Sequence, residues 1–127
     1  MVQAWPSLLP GARAGLSGIE ALVTHTATGK GFTPQFARAS RGWSQDEWDG
    51  AVRGLAARGL LDGQGELTPA GQALRAQVED QTDQLAAPPW LYLGEQRTEE
   101  VVRIGKAMTR AVATAGAFPR EGVFAAR

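Results

Sequence analysis

Four times along this sequence a serine or threonine stands where a helix must begin, and everything else in the chain has to fit around those starts. Ser17 is followed three residues later by Glu20, and Ser44 by Glu47. That is capping-box spacing: each side chain satisfies a backbone N–H that the helix itself leaves unbonded. Thr33-Pro34 and Thr68-Pro69 are the second form of start. Threonine caps, and proline at the first helical position gives up no hydrogen bond. Trp43 before the third start and Trp48 at its fourth helical position make a hydrophobic staple.

The stop signals fall between these starts. Ile19, Leu22, Val23 and Thr26 share a face, and Gly29 and Gly31 close that first helix. The second is short, turns Phe36 and Ala39 inward, and stops near Gly42. The third runs from Ser44 to Gly59 with Trp48, Val52, Leu55 and Ala56 at helical spacing. Leu60-Leu61 and Leu67 then flank an Asp62-Gly63 turn, a hairpin signal. A long fourth helix follows, with Ala70, Leu74, Val78, Gln81 and Leu85 on one face. Pro88-Pro89 is expected to break it, leaving Trp90 to Leu93 as an apolar connector. Val101, Ile104, Gly105, Met108, Val112 and Ala115 stripe a fifth helix. Residues 1–15 read as an N-terminal arm and 120–127 as a flexible tail, with one domain over 16–119. The pattern predicts a mainly α protein. Its architecture is a winged helix, three helices plus a short β-hairpin wing, with two additional long C-terminal helices.

Composition narrows the chemistry. Lys plus Arg and Asp plus Glu are 13 each, so the basic surplus of a dedicated nucleic-acid binder is missing. There is no cysteine and one histidine, which argues against a disulfide frame and a zinc site, and no metal or cofactor is expected. Gly29-Lys30-Gly31 lacks the spacing of a phosphate-binding loop. No apolar run is long enough to cross a bilayer. Met1 to Pro10 has no basic leader, and a cytoplasmic protein is expected.

Two resemblances bear on the fold. Gly54-Leu55-Ala56-Ala57-Arg58-Gly59-Leu60-Leu61-Asp62, followed by Leu67-Thr68-Pro69-Ala70-Gly71, resembles the MarR family of winged-helix regulators. There the recognition helix ends at Gly-Leu, a wing follows, and Leu-Thr-x-x-Gly opens the next helix. A longer resemblance runs from about Gly15 to Pro119. Its residues are Gly18-Ile19-Glu20-Ala21-Leu22-Val23, His25 with Ala27-Thr28-Gly29, Arg41-Gly42-Trp43-Ser44, Glu47-Trp48, Leu67-Thr68 through Gly71, Thr82-Asp83 and Pro89-Trp90. This stretch is similar to the C-terminal helix-turn-helix half of a poorly characterised actinobacterial family, whose longer members carry another N-terminal domain. The resemblance implies the fold and no settled activity.

Local charge complicates the DNA function that such a fold implies. A recognition helix enters the major groove by its N-terminal end, and here that end reads Gln45, Asp46, Glu47, Asp49. Carboxylates facing phosphates cost affinity. The Asp62 to Glu66 wing has no basic residue with which to reach the minor groove. Arg38, Arg41, Arg53 and Gln45 are the candidate DNA contacts. The plainer reading makes the arginines a solvated face paired with carboxylates.

His25 reads either as a general base or hydrogen-bonding group in a pocket, or as a polar helix-end residue favoured by the dipole. No Ser-His-Asp pattern accompanies it, and whether the protein is an enzyme stays open. Trp43, Trp48, Trp90 and Tyr92 are either pocket walls or packing. Trp90, Tyr92 and His25 would line one pocket if the first and fifth helices meet. The apolar stripes of the two long helices predict a homodimer with an isologous helical interface. Three functions follow: a repurposed winged helix holding a small aromatic or hydrophobic molecule, in a biosynthetic or resistance role; a MarR-like transcriptional regulator; or an interaction domain docking on a separately encoded N-terminal half.

Overall fold

A computed structural model describes residues 14–119 and 121–125. Five helices are described: α1 (Gly18–Thr26), α2 (Pro34–Ser40), α3 (Gln45–Ala57), α4 (Pro69–Leu93) and α5 (Glu95–Thr114). Of the expected arm only Ala14 and Gly15 lie within the described residues, and Ala14 packs against the core.

The four starts explain the first four helices. Ser17 Oγ accepts from Glu20 N at 3.3 Å while Ser17 N donates to Glu20 Oε2 at 2.8 Å. Ser44 and Glu47 repeat the exchange at 3.2 and 2.9 Å, and Ser44 Oγ also donates to Glu47 Oε2 at 2.8 Å. The Ser44 backbone N–H, with its hydroxyl second, holds the Glu47 carboxyl below its ordinary range by bonding the charged form. Thr33 and Thr68 cap through Oγ1, which accepts from Phe36 N and Gly71 N.

Helix α1 packs against α2, α3 and α4. The core between them holds Val23 of α1, Ala37 of α2, Trp48, Ala51 and Leu55 of α3, Leu60 and Leu61 of the following turn, and Val78 of α4. Thr24 and Thr26 are buried, but their hydroxyls donate to Ala21 O and Val23 O at 3.0 Å, so neither leaves an unpaired polar group. Gly71 lets α4 close on this core. A β-carbon built there would stand 2.1 Å from the Leu60 carbonyl oxygen, which only glycine allows. Thr68 fastens the same junction, with N–H to Leu60 O at 3.1 Å and Oγ1 to Gly59 O at 2.6 Å.

Three features depart from what the sequence suggests. The Leu60 to Leu67 segment does turn back on itself, yet its pairing is one antiparallel bridge, Leu61 with Leu67, and no strand forms among the described residues. The Asp62 side chain knots the loop instead, accepting from Gln64 N and Glu66 N at 2.9 Å each. Next, Pro88-Pro89 does not end α4, which continues to Leu93. The carbonyls that a proline displaces lie four residues earlier, at Gln84 and Leu85. Both residues are exposed, so water can satisfy those groups. Gly94 turns the corner at φ 81°, the left-handed region that glycine tolerates. Third, the C-terminal segment is no loose tail across 121–125. Phe124 bridges to Phe32, Thr33 N donates to Val123 O and Ala125 N to Gly31 O, both at 2.9 Å, and Val123 is buried. Phe124 stacks on Phe32 with ring centroids 5.5 Å apart, an apolar anchor that the sequence reading of the tail missed. Residues 120, 126 and 127 of that tail lie outside the described residues.

Candidate functional site

Helix α1, the α2–α3 turn and the first third of α4 border an open cleft. One cavity in it is about 460 Å³. Ala21, Leu22 and Gly18 make an apolar floor, Trp43 and Arg41 stand at one side, and His25 and Arg75 at the other. A second cavity of about 300 Å³ adjoins it across His25 and Arg75 and reaches Thr28, Lys30 and Glu79. A few polar groups over apolar walls is the ordinary make-up of a small-molecule site.

Arg75 is the unusual member. It is 7% exposed, and it sits with Gly71 and Val78 on the buried face of α4. A buried guanidinium is costly unless its charge and its donors are matched. Its Nη2 pairs with the Glu79 carboxylate one turn along and lies 3.4 Å from His25 Nδ1. Arginine only donates, so a hydrogen bond in that contact takes His25 Nδ1 as its acceptor. Arg75 Nε is buried and has no hydrogen-bond partner among the described residues, and an orphan of that kind costs about 1–3 kcal/mol. Glu79 is a weak counter-charge, because its side chain is 58% exposed and water screens it.

The residues singled out in the sequence scatter around this cleft. His25 and Trp43 line it together, joined by Arg41. Trp48 is buried in the core. Trp90 and Tyr92 are 46% and 95% exposed on the last turns of α4, and neither is among the residues lining the His25 cavities. Among the described residues, then, His25 does not share either of these cavities with Trp90 or Tyr92. The reason is the unbroken α4, which carries both aromatics onward past the prolines. Sequence reasoning missed Arg75 altogether. The usable signal was its place between Gly71 and Val78 at helical spacing, with Glu79 four residues on.

The α2–turn–α3 unit presents the candidate nucleic-acid contacts. At the leading end of α3, Gln45 Nε2 donates to Asp49 Oδ1 at 2.8 Å and Glu47 is engaged with Ser44, while Asp46 is exposed. Arg38 is half-buried and spends Nη1 on the Trp43 carbonyl at 3.1 Å, which fixes the turn. Arg41 and Arg53 are exposed, and Arg41 Nη1 donates to Ser40 Oγ at 3.1 Å. Arg58 pairs with Glu20 at 3.5 Å.

Among the described residues no cluster of His, Cys, Asp or Glu could hold a metal ion, and no helix is long and apolar enough to cross a membrane. No curated protein and no solved structure matches this chain. The sequence model of a helix-turn-helix family matches residues 11–119. That span includes α1 to α5 and every residue lining the cleft, so the chain belongs to this helix-turn-helix family.

Proposed function

We propose that this is a helix-turn-helix protein of winged-helix type, working in the cytoplasm, that binds a small aromatic or hydrophobic molecule in the cleft between α1 and α4. The observation that carries the reading is the convergence of His25, Arg41, Trp43 and Arg75 on one apolar cavity of about 460 Å³. The acidic leading end of α3 adds to it, since the groove-facing part of the fold offers carboxylates where phosphates would need cations. A homodimer through the apolar stripe of α5 fits the same picture. Every residue from Glu99 through Pro119 is exposed, including Val101, Ile104, Met108 and Val112, and a helix with an unpartnered stripe gains by pairing.

The test is a nuclear-magnetic-resonance titration of labelled protein with a panel of small aromatic compounds. Shifts should concentrate on Ala21, His25 and the Trp43 indole. Silence across the panel, or shifts confined to Trp90 and Tyr92, rejects the reading. The helix-turn-helix family match favours a second reading, a DNA-binding regulator whose contacts are Gln45 and the arginines of the α2–α3 unit, Arg38, Arg41 and Arg53. A mobility-shift assay at low salt decides it. Steep salt-dependent binding to a duplex supports regulation, and no binding removes it.

A further inference from the structure

We infer that the ligand of this cleft is a small organic anion, a carboxylate on an apolar body, with Arg75 as the residue that receives its charge. The inference rests on the small-molecule reading of the cleft and adds the chemical class.

The argument starts from the under-used guanidinium. Arg75 has five N–H donors in a fixed fork. Nη2 is taken by Glu79 and His25, and the buried Nε has no partner among the described residues. A carboxylate is the planar, two-oxygen acceptor that matches such a fork. Among the described residues the fold does not supply one free of solvent, since the carboxylate in contact there is the exposed Glu79 one turn away. Further cations stand around the cavities that Arg75 walls: Arg41 beside the larger, Lys30 beside the smaller. Two carboxylates border the adjoining cavities, Glu79 and Glu66. Among the described residues neither lines the larger cavity, whose charged groups are Arg41 and Arg75. Arg41 and Arg75 stand at its wall, and Ala21, Leu22 and Trp43 offer contact to the apolar part of an anion. His25 acts as a positioning residue. Its Nδ1 accepts from Arg75 and its Nε2 abuts Gly31, where a β-carbon would come within 3.2 Å. The imidazole is thereby wedged behind the guanidinium.

The experiment compares benzoate with benzamide, which share a ring and a shape and differ in charge. Titrations of the full chain are followed by resonance shifts of Ala21 and Trp43. Benzoate should bind at least ~10-fold more tightly than benzamide, because an ionised acceptor strengthens the contact. Arg75→Met, of similar length and without charge, should erase that preference. Glu79→Gln supplies a second variant at an exposed position, and the glutamine oxygen can still accept from Arg75 Nη2. It should strengthen benzoate binding roughly 3–10-fold by removing the competing carboxylate. Equal affinity for the two compounds overturns the anion assignment while leaving the cleft reading intact. Binding of neither overturns both. A benzoate preference that survives Arg75→Met, or that Glu79→Gln fails to raise, removes Arg75 from the role.

Discussion

Gly71→Ala is the substitution that most directly tests how α4 is seated, and with it the placement of Arg75 one turn along. In a helix, alanine normally outranks glycine by about 0.5–1 kcal/mol. At Gly71 the sign should invert. The added β-carbon would lie 2.1 Å from the Leu60 carbonyl oxygen and 3.0 Å from Leu67 Cδ2. The first neighbour is backbone and cannot rotate away, so α4 or the Leu60 turn must move by roughly 1 Å, the sort of overpacking that costs about 1–3 kcal/mol. That movement strains the Thr68 bonds to Leu60 O and Gly59 O, each worth about 1 kcal/mol. Set against the propensity gain, the net loss is about 2–4 kcal/mol, a large share of the 5–15 kcal/mol that holds a typical domain. Gly50→Ala is the control. It sits inside α3, and its added carbon would meet only the flexible end of Arg53 at 3.8 Å, so it should gain about 0.5–1 kcal/mol. Urea unfolding followed by circular dichroism measures both. If the two variants shift the midpoint in the same direction, the close approach of α4 to Leu60 is not what the geometry says.

Two further outcomes follow from the same structure. Glu47→Gln should lower the melting temperature at neutral pH. The folded-state pKa of Glu47 is depressed, so its contribution is present above the ordinary value of 4.5 and is lost as pH falls through the folded value. The gap between wild type and variant should therefore close in acid, and melts across that range would contradict the capping account if the gap stayed constant. Ile104→Glu places a charge in the exposed stripe of α5, where it touches no core. It should leave folding intact while converting a species of twice the 13.4 kDa chain mass into a single chain by light scattering. A wild type that already runs at the single-chain mass rules out pairing through α5.

What was legible in the sequence was local, and what was not depended on distant parts of the chain. The starts at Ser17, Thr33, Ser44 and Thr68 could be read because a cap is decided within three residues of itself. The docking of Phe124 on Phe32 could not, because nothing near either phenylalanine announces the other. The Pro88-Pro89 pair shows a third kind of limit. Its local cost is real, but water at Gln84 and Leu85 can absorb it, and that exposure is a property of the folded chain. The candidate site fails to show for a subtler reason. Reading the α4 stripe through Ala70, Leu74 and Val78 finds Val78 but places the first two turns one residue before the buried Gly71 and Arg75. An apolar pattern cannot reveal a face whose centre is an arginine, since the pattern assumes that charge points outward. His25 and Trp43 were visible as unusual residue types. The residue that gives their cleft its charge was hidden because it breaks the rule by which faces are found, and such breaks cluster where a protein binds something. Gly71 and Arg75 then belong to one arrangement. The glycine brings α4 against the Leu60 turn, and that seating puts the guanidinium behind His25. A variant that lifts α4 should loosen the cleft before it unfolds the core.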